Sequence, residues 1–147
     1  MNFSQLSLKW MMDQFPEYHE GEEPLHKRGT LIFTGTLGAL RTNTGFAAYG
    51  AARSGVRMLA QSLAREFSAK GIHVVHAIAN GGITDNVHNW HGETGEKKEG
   101  AGDDAVKVLK GEKMRAESVG KLYLHCMQMG CDLWVHELDM RPAAEGF

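Results

Sequence analysis

The sequence is poor in cysteine, in long apolar runs and in excess charge of either sign, and each shortage removes a class of function. Two cysteines in 147 residues, Cys126 and Cys131, cannot build a disulfide framework or a four-thiolate zinc site. No apolar run approaches the ~20 residues of a membrane-spanning helix. The N-terminus lacks the basic flank, apolar stretch and small-residue cleavage site of a secretory leader, so a cytoplasmic protein is expected. A formal charge of −2, from 16 basic and 18 acidic side chains, argues against a nucleic-acid binder, which ordinarily carries a basic excess. What is present is globular: 42% hydrophobic and 23% charged residues sit near the soluble average. The length suits one domain with a real core. Glycine is abundant, at 18 residues, which points to tight turns or close backbone approaches.

Periodicity then divides the chain. Leu6, Trp10 and Met11 form a helical stripe over residues 3–14. A polar loop with Gly21 and Pro24 follows, and then Thr30–Thr34, short, β-branched and aromatic, reads as a buried strand. Residues 46–70 read as a long helix with Val56, Ala60, Leu63 and Phe67 on one stripe, and Gly71 as its C-cap. Residues 72–78 form a second strand that ends in the turn Asn80-Gly81-Gly82. Residues 84–103 are polar and glycine-rich, a mobile insertion or lid by composition. A helix beginning near Ala105 with Asp103 and Asp104 as candidate caps, a second over 116–129, and a closing strand over Leu133–Leu138 complete the chain. Alternation of this kind predicts an α/β fold: a partial Rossmann-like parallel sheet of about three strands flanked by helices. The first strand would carry an open edge. The expected organisation is one domain over 1–147, with a helix and loop over 1–29, a strand-helix-strand unit over 30–83, and a substrate region over 84–147.

The chemistry gathers around Tyr49. Arg53 lies four residues on, on the same helical face. Thr36 follows the first strand and the glycine turn follows the second, so both face the rim where open α/β sheets bind ligands. A cation near a phenol favours phenolate and draws its pKa down from ~10, which suits a tyrosine to general acid or base work.

These residues carry a resemblance. Gly29 to Thr36, then Phe46-Ala47-Ala48-Tyr49-Gly50-Ala51-Ala52-Arg53, then Gly71 to Thr84, and the closing Trp134–Pro142 resemble the C-terminal half of a short-chain dehydrogenase/reductase. The resemblance implies an NAD- or NADP-dependent oxidoreductase acting on a small carbonyl or alcohol substrate. It places the family's catalytic tyrosine on Tyr49, its serine on Thr36 and its lysine on Arg53. It also gives Tyr49, Arg53, Gly81, Gly82, Ile83 and Thr84 contacts with the cofactor. Arg53 keeps the charge of the family's lysine but does not readily give up a proton. The family's Pro-Gly is replaced in the turn after the second strand. The half of the family fold that holds the glycine-rich phosphate loop has no counterpart here. Gly35-Thr36-Leu37-Gly38 follows a strand but lacks the third glycine of such a loop. A truncated form with weak or no independent activity is therefore expected.

Other residues invite plainer readings. His88 and His91 lack a third ligand at zinc-like spacing, so no metal is expected. His73 and His76 sit three apart on a strand and face opposite ways. Lys107, Lys110, Lys113 and Arg115 read as a solvated face. The alternative to an enzyme is a non-catalytic remnant or partner module, forming a homo- or hetero-oligomer through the 46–70 helix or the open sheet edge.

Overall fold

The structure, a computed structural model, describes residues 3–15, 25–85 and 103–145. Its elements are α1 (Phe3–Asp13), β1 (Gly29–Gly35), α2 (Ala47–Phe67), β2 (Ile72–Ala79), β3 (Gly82–Thr84), α3 (Asp103–Leu109), β4 (Lys113–Arg115), α4 (Ala116–Gln128) and β5 (Glu137–Met140). Most of the loop expected over 84–103, with His88 and His91, lies outside the described residues, as does 16–24 of the first loop.

The fold class is the expected one. Three parallel strands run in the order β1-β2-β5. Residues 72–78 of the central β2 are all buried, which is why that strand reads as an almost unbroken apolar run: helices cover both its faces. On one face Leu31, Ile72 and Val74 pack against Leu8 of α1 and Ala60, Ala64 and Phe67 of α2. Each large side chain so buried contributes about 1.5–3 kcal/mol. On the other face His73 meets the end of α4 at the Cys126 carbonyl, and Thr34 reaches Tyr123 at 2.9 Å. The helix α2 ends through a 3-10 turn, Ser68–Lys70, at Gly71, whose φ is +76°. A side chain there would also strike the His26 carbonyl, so this cap must be glycine for two reasons.

Four expectations need correction. On α1 the buried residue is Leu8, with Met11 and Met12 packed beside it, while Leu6 and Trp10 are 52% and 62% exposed. The helix meets the sheet one residue round from the apolar stripe, because Met11 lies against Gly29 at the start of β1. The closing strand is Glu137–Met140, not Leu133–Leu138. Its ladder starts where Glu137 stands opposite His76. Trp134 instead stacks on His73 with ring centroids 5.0 Å apart, so its apolar character serves a ring contact rather than a strand. The pair β3-β4 is parallel and only three residues deep, too short for any period to show. Finally, Asp104 does not cap a helix near Ala105: α3 begins at Asp103. The Asp104 carboxylate accepts from Lys113 and from Thr84, the latter at 2.9 Å. Lys113 is thereby taken out of the solvated basic face.

Candidate active site

The first turn after β1 and the first turn of α2 bring Thr36 and Tyr49 together. Thr36 is extended, with φ −140° and ψ 174°, and leads into the 3-10 turn Leu37–Ala39. Its hydroxyl lies 2.8 Å from the phenol of Tyr49. Arg53, one helical turn later, holds its guanidinium carbon 5.1 Å from the Tyr49 ring centroid, within cation–π range. Phe46 meets the same ring edge-on at 6.3 Å. Two glycines make this closeness feasible. A Cβ on Gly38 would stand 2.6 Å from Cε1 of Tyr49, and one on Gly50 would collide with the Thr42 methyl. Gly38 therefore serves the tyrosine ring, not a phosphate.

The phenol of Tyr49 is held below its ordinary value, first by the hydrogen bond from Thr36 and next by the positive charge of Arg53, against a smaller opposing effect of burial that falls between them. The sequence points to the arginine as the main cause; the geometry gives that part to the threonine. Because the folded-state value is depressed, phenolate stabilises the fold above the unfolded phenol's value near ~10, and this is lost as pH falls through the folded value. Thr36→Val is expected to raise the Tyr49 midpoint, read by ultraviolet difference titration against Tyr49→Phe. An unchanged midpoint would mean that the hydroxyl pair does not set it.

The glycine turn closes the rim. Gly81 has φ +126°, a backbone conformation that favours glycine. A cavity of about 360 Å³ lies between the two strand ends, lined by Thr36, Gly38, Tyr49 and Gly81 and also by Arg41 and Asn80. Gly82, Ile83 and Thr84 continue into β3 and are outside this lining. Thr84 is buried, with its hydroxyl donated to Asp104. Arg41 and Asn80 are the lining residues to which sequence reasoning gives no role, since loop positions obey no spacing rule. Among the described residues no group of His, Cys, Asp or Glu could hold a metal ion. No described helix is long and apolar enough to cross a membrane.

The sequence pattern of the short chain dehydrogenase family matches residues 2–94. The chain belongs to the short-chain dehydrogenase family. The match takes in β1, α2, β2 and β3, the elements that carry Thr36, Tyr49, Arg53 and the glycine turn. A short-chain dehydrogenase from Rhodopseudomonas palustris is similar at 30% identity over 78% of this chain and 38% of its own, with a TM-score of 0.50. Serine dehydrogenase from Escherichia coli is 14% identical over 98% of this chain and 48% of its own, with a TM-score of 0.61. The closed form of serine dehydrogenase complexed with NADP+ is 15% identical over 81% of this chain and 46% of its own, with a TM-score of 0.54. The last two likenesses speak for the fold alone. The chain spans less than half the length of each of these short-chain dehydrogenase-fold structures. No curated protein matches it.

Proposed function

We propose that the chain carries the proton-transfer site of a cytoplasmic, NAD- or NADP-dependent oxidoreductase that reduces a small carbonyl or oxidises the corresponding alcohol, with weak or no activity on its own. The observation that carries this reading is the 2.8 Å hydrogen bond between Thr36 and Tyr49 at the wall of a cavity. In reduction the Tyr49 hydroxyl donates its proton to the substrate oxygen. The phenolate left behind is held by the Thr36 hydroxyl and the Arg53 charge. In oxidation Tyr49 takes the proton from the alcohol. Thr36 orients the substrate oxygen. Arg53 holds its proton throughout.

The nicotinamide cofactor supplies or accepts the hydride when bound. Tyr49, Arg53, Gly81, Gly82, Ile83 and Thr84 would hold its nicotinamide-ribose end. Arg53 offers a planar fork of donors suited to ribose hydroxyls. Gly81 leaves an exposed backbone beside the cavity. Thr84, tied to Asp104, anchors the far end of the turn. A pyrophosphate has no such cradle among the described residues. The Gly35–Gly38 segment runs into a 3-10 turn rather than an α-helix, and Gly38 is filled by the Tyr49 ring. This supports weak independent activity.

A second reading, a partner module, is favoured by the position of β1 at the edge of the sheet. It is also favoured by Met58 and Leu59, apolar and exposed on α2. Titration of the folded chain with NADPH and NADH, followed by nicotinamide fluorescence, separates the two. Saturable binding in the millimolar range, abolished in Arg53→Ala, is the expected result. Micromolar binding would overturn the claim of weak independent activity. No binding would overturn the oxidoreductase reading and leave the module.

A further inference from the structure

The cavity beside Thr36 and Tyr49 has a second wall that proton transfer does not use. Asn80, at the end of β2, is only 6% exposed, and its side-chain Nδ2 is buried with no hydrogen-bond partner. Its backbone N–H donates to the Met140 carbonyl at 2.9 Å, which pins the residue in place. Buried amide groups in native proteins are overwhelmingly paired, so an orphaned one on a residue that lines a cavity is a candidate donor to a bound ligand. Arg41 lines the same cavity. Its backbone is fixed by a hydrogen bond to the Leu37 carbonyl at 3.1 Å, while its guanidinium makes no ion pair among the described residues. Arg57 and Arg141, by contrast, are each forked onto a carboxylate. Among the described residues no acidic side chain lines the cavity. The Glu145 carboxylate lies 3.6 Å from where a Gly81 Cβ would stand, and its charge acts on Arg141.

We propose that Arg41 and Asn80 form a subsite for a carboxylate, so that the substrate is a small hydroxy or oxo acid. This rests on the proton-transfer reading of Thr36 and Tyr49. A guanidinium matches a carboxylate in shape and charge, and an amide N–H can donate to one of its oxygens. The cavity volume, about 360 Å³, is at the small end for ligand sites. It suits a compact acid.

The test is the affinity of the full chain for 3-hydroxybutyrate against its methyl ester, by ligand-observed NMR, with and without NADP+. The acid should bind about tenfold or more tightly than the ester, the scale of one charge-assisted hydrogen bond. Arg41→Gln should bring that ratio close to unity, and Asn80→Ala should lower it. Equal affinities, a ratio untouched by Arg41→Gln, or no binding of the acid each overturn the subsite. Acid preference in a chain that fails to bind cofactor would keep the subsite and remove the oxidoreductase reading. Cofactor binding without acid preference would remove the subsite alone.

Discussion

Gly35→Ala is expected to destabilise the fold by about 3 kcal/mol, the upper end for an overpacked core. Gly35 closes β1 and stands opposite Ile78 of β2. A Cβ there would lie 2.3 Å from Nε2 of His76 and 3.0 Å from its Cε1. The imidazole is fully buried, so it has no solvent to retreat into. On its far side Nδ1 is 3.4 Å from the Glu137 carboxylate. That carboxylate is itself gripped by Arg57 through bonds of 2.6 and 2.8 Å. The ring is thus wedged between a glycine and an ion pair. For a chain of this size the loss corresponds to a fall of about 6–12 °C in Tm. Adding His76→Asn, a shorter side chain, should recover a large part of it, and the double-mutant cycle isolates the contact. A Gly35→Ala protein within about 0.5 kcal/mol of the parent, as at an ordinary surface position, would mean that the strand end yields.

That contact shows why the framework was legible while its constraints were not. The strand β1, the helix α2 and the strand β2 announce themselves by local pattern: a β-branched run, a stripe of Val56, Ala60 and Phe67, and a second apolar run ending in glycine. Such signals reflect burial against a neighbour whose identity is irrelevant. Gly35 in the sequence is mere punctuation after a strand. Its actual constraint is an imidazole some forty residues later. The closing strand fails for a related reason. Trp134 and the Val135 carbonyl answer to the His73 ring and not to a ladder, and the pairing that defines β5 is visible only once β2 is in place.

The site divides in the same way. Tyr49 and Arg53 share a helical face by spacing alone, and the geometry brings them together. Thr36 falls at the strand end and within 2.8 Å of the phenol. What spacing could not supply is the order of effects, with the threonine hydroxyl ahead of the arginine in lowering the phenol's pKa. Nor could it supply the residues of the opposite wall. Asn80 is simply a turn residue in the sequence, and its orphaned amide exists only in three dimensions. Asp104 reads as a helix cap because acids favour helix starts. It clasps Thr84 and Lys113 because the short β3-β4 pair brings them within reach.

His73 predicts the response of the fold to acid. Its ring is fully buried on the α4 face of β2. It is stacked on Trp134 at 5.0 Å and has His136 edge-on at 5.8 Å. Both ring nitrogens face carbonyl oxygens, Nδ1 at 3.1 Å from Cys126 and Nε2 at 2.8 Å from Val135. A neutral ring has one N–H and can serve only one of them; a protonated ring could serve both. Burial opposes the charge more strongly than either carbonyl favours it. The Lys27 ammonium adds to that opposition: it caps α4 by donating to the carbonyls of Cys126, Met127 and Met129. The histidine's folded-state pKa is therefore lowered from its ordinary value, with burial the first cause. The sign follows. Above about pH 6.5, the ordinary histidine value, the ring is neutral whether folded or not and its contribution is intact. As pH falls toward the folded value the unfolded chain takes up a proton that the folded chain refuses, and stability is lost. The slope from this one group reaches at most about 1.4 kcal/mol per pH unit. Denaturant unfolding between about pH 8 and pH 5 should show that decline, and His73→Gln, which keeps a donor but cannot titrate, should flatten it. With 8 histidines in the chain, the difference between the two proteins carries the result rather than either curve alone. Parallel curves for parent and variant would show that His73 does not carry the acid response, and a parent that gains stability on acidification relative to the variant would show that His73 folds in its charged form, serving both carbonyls.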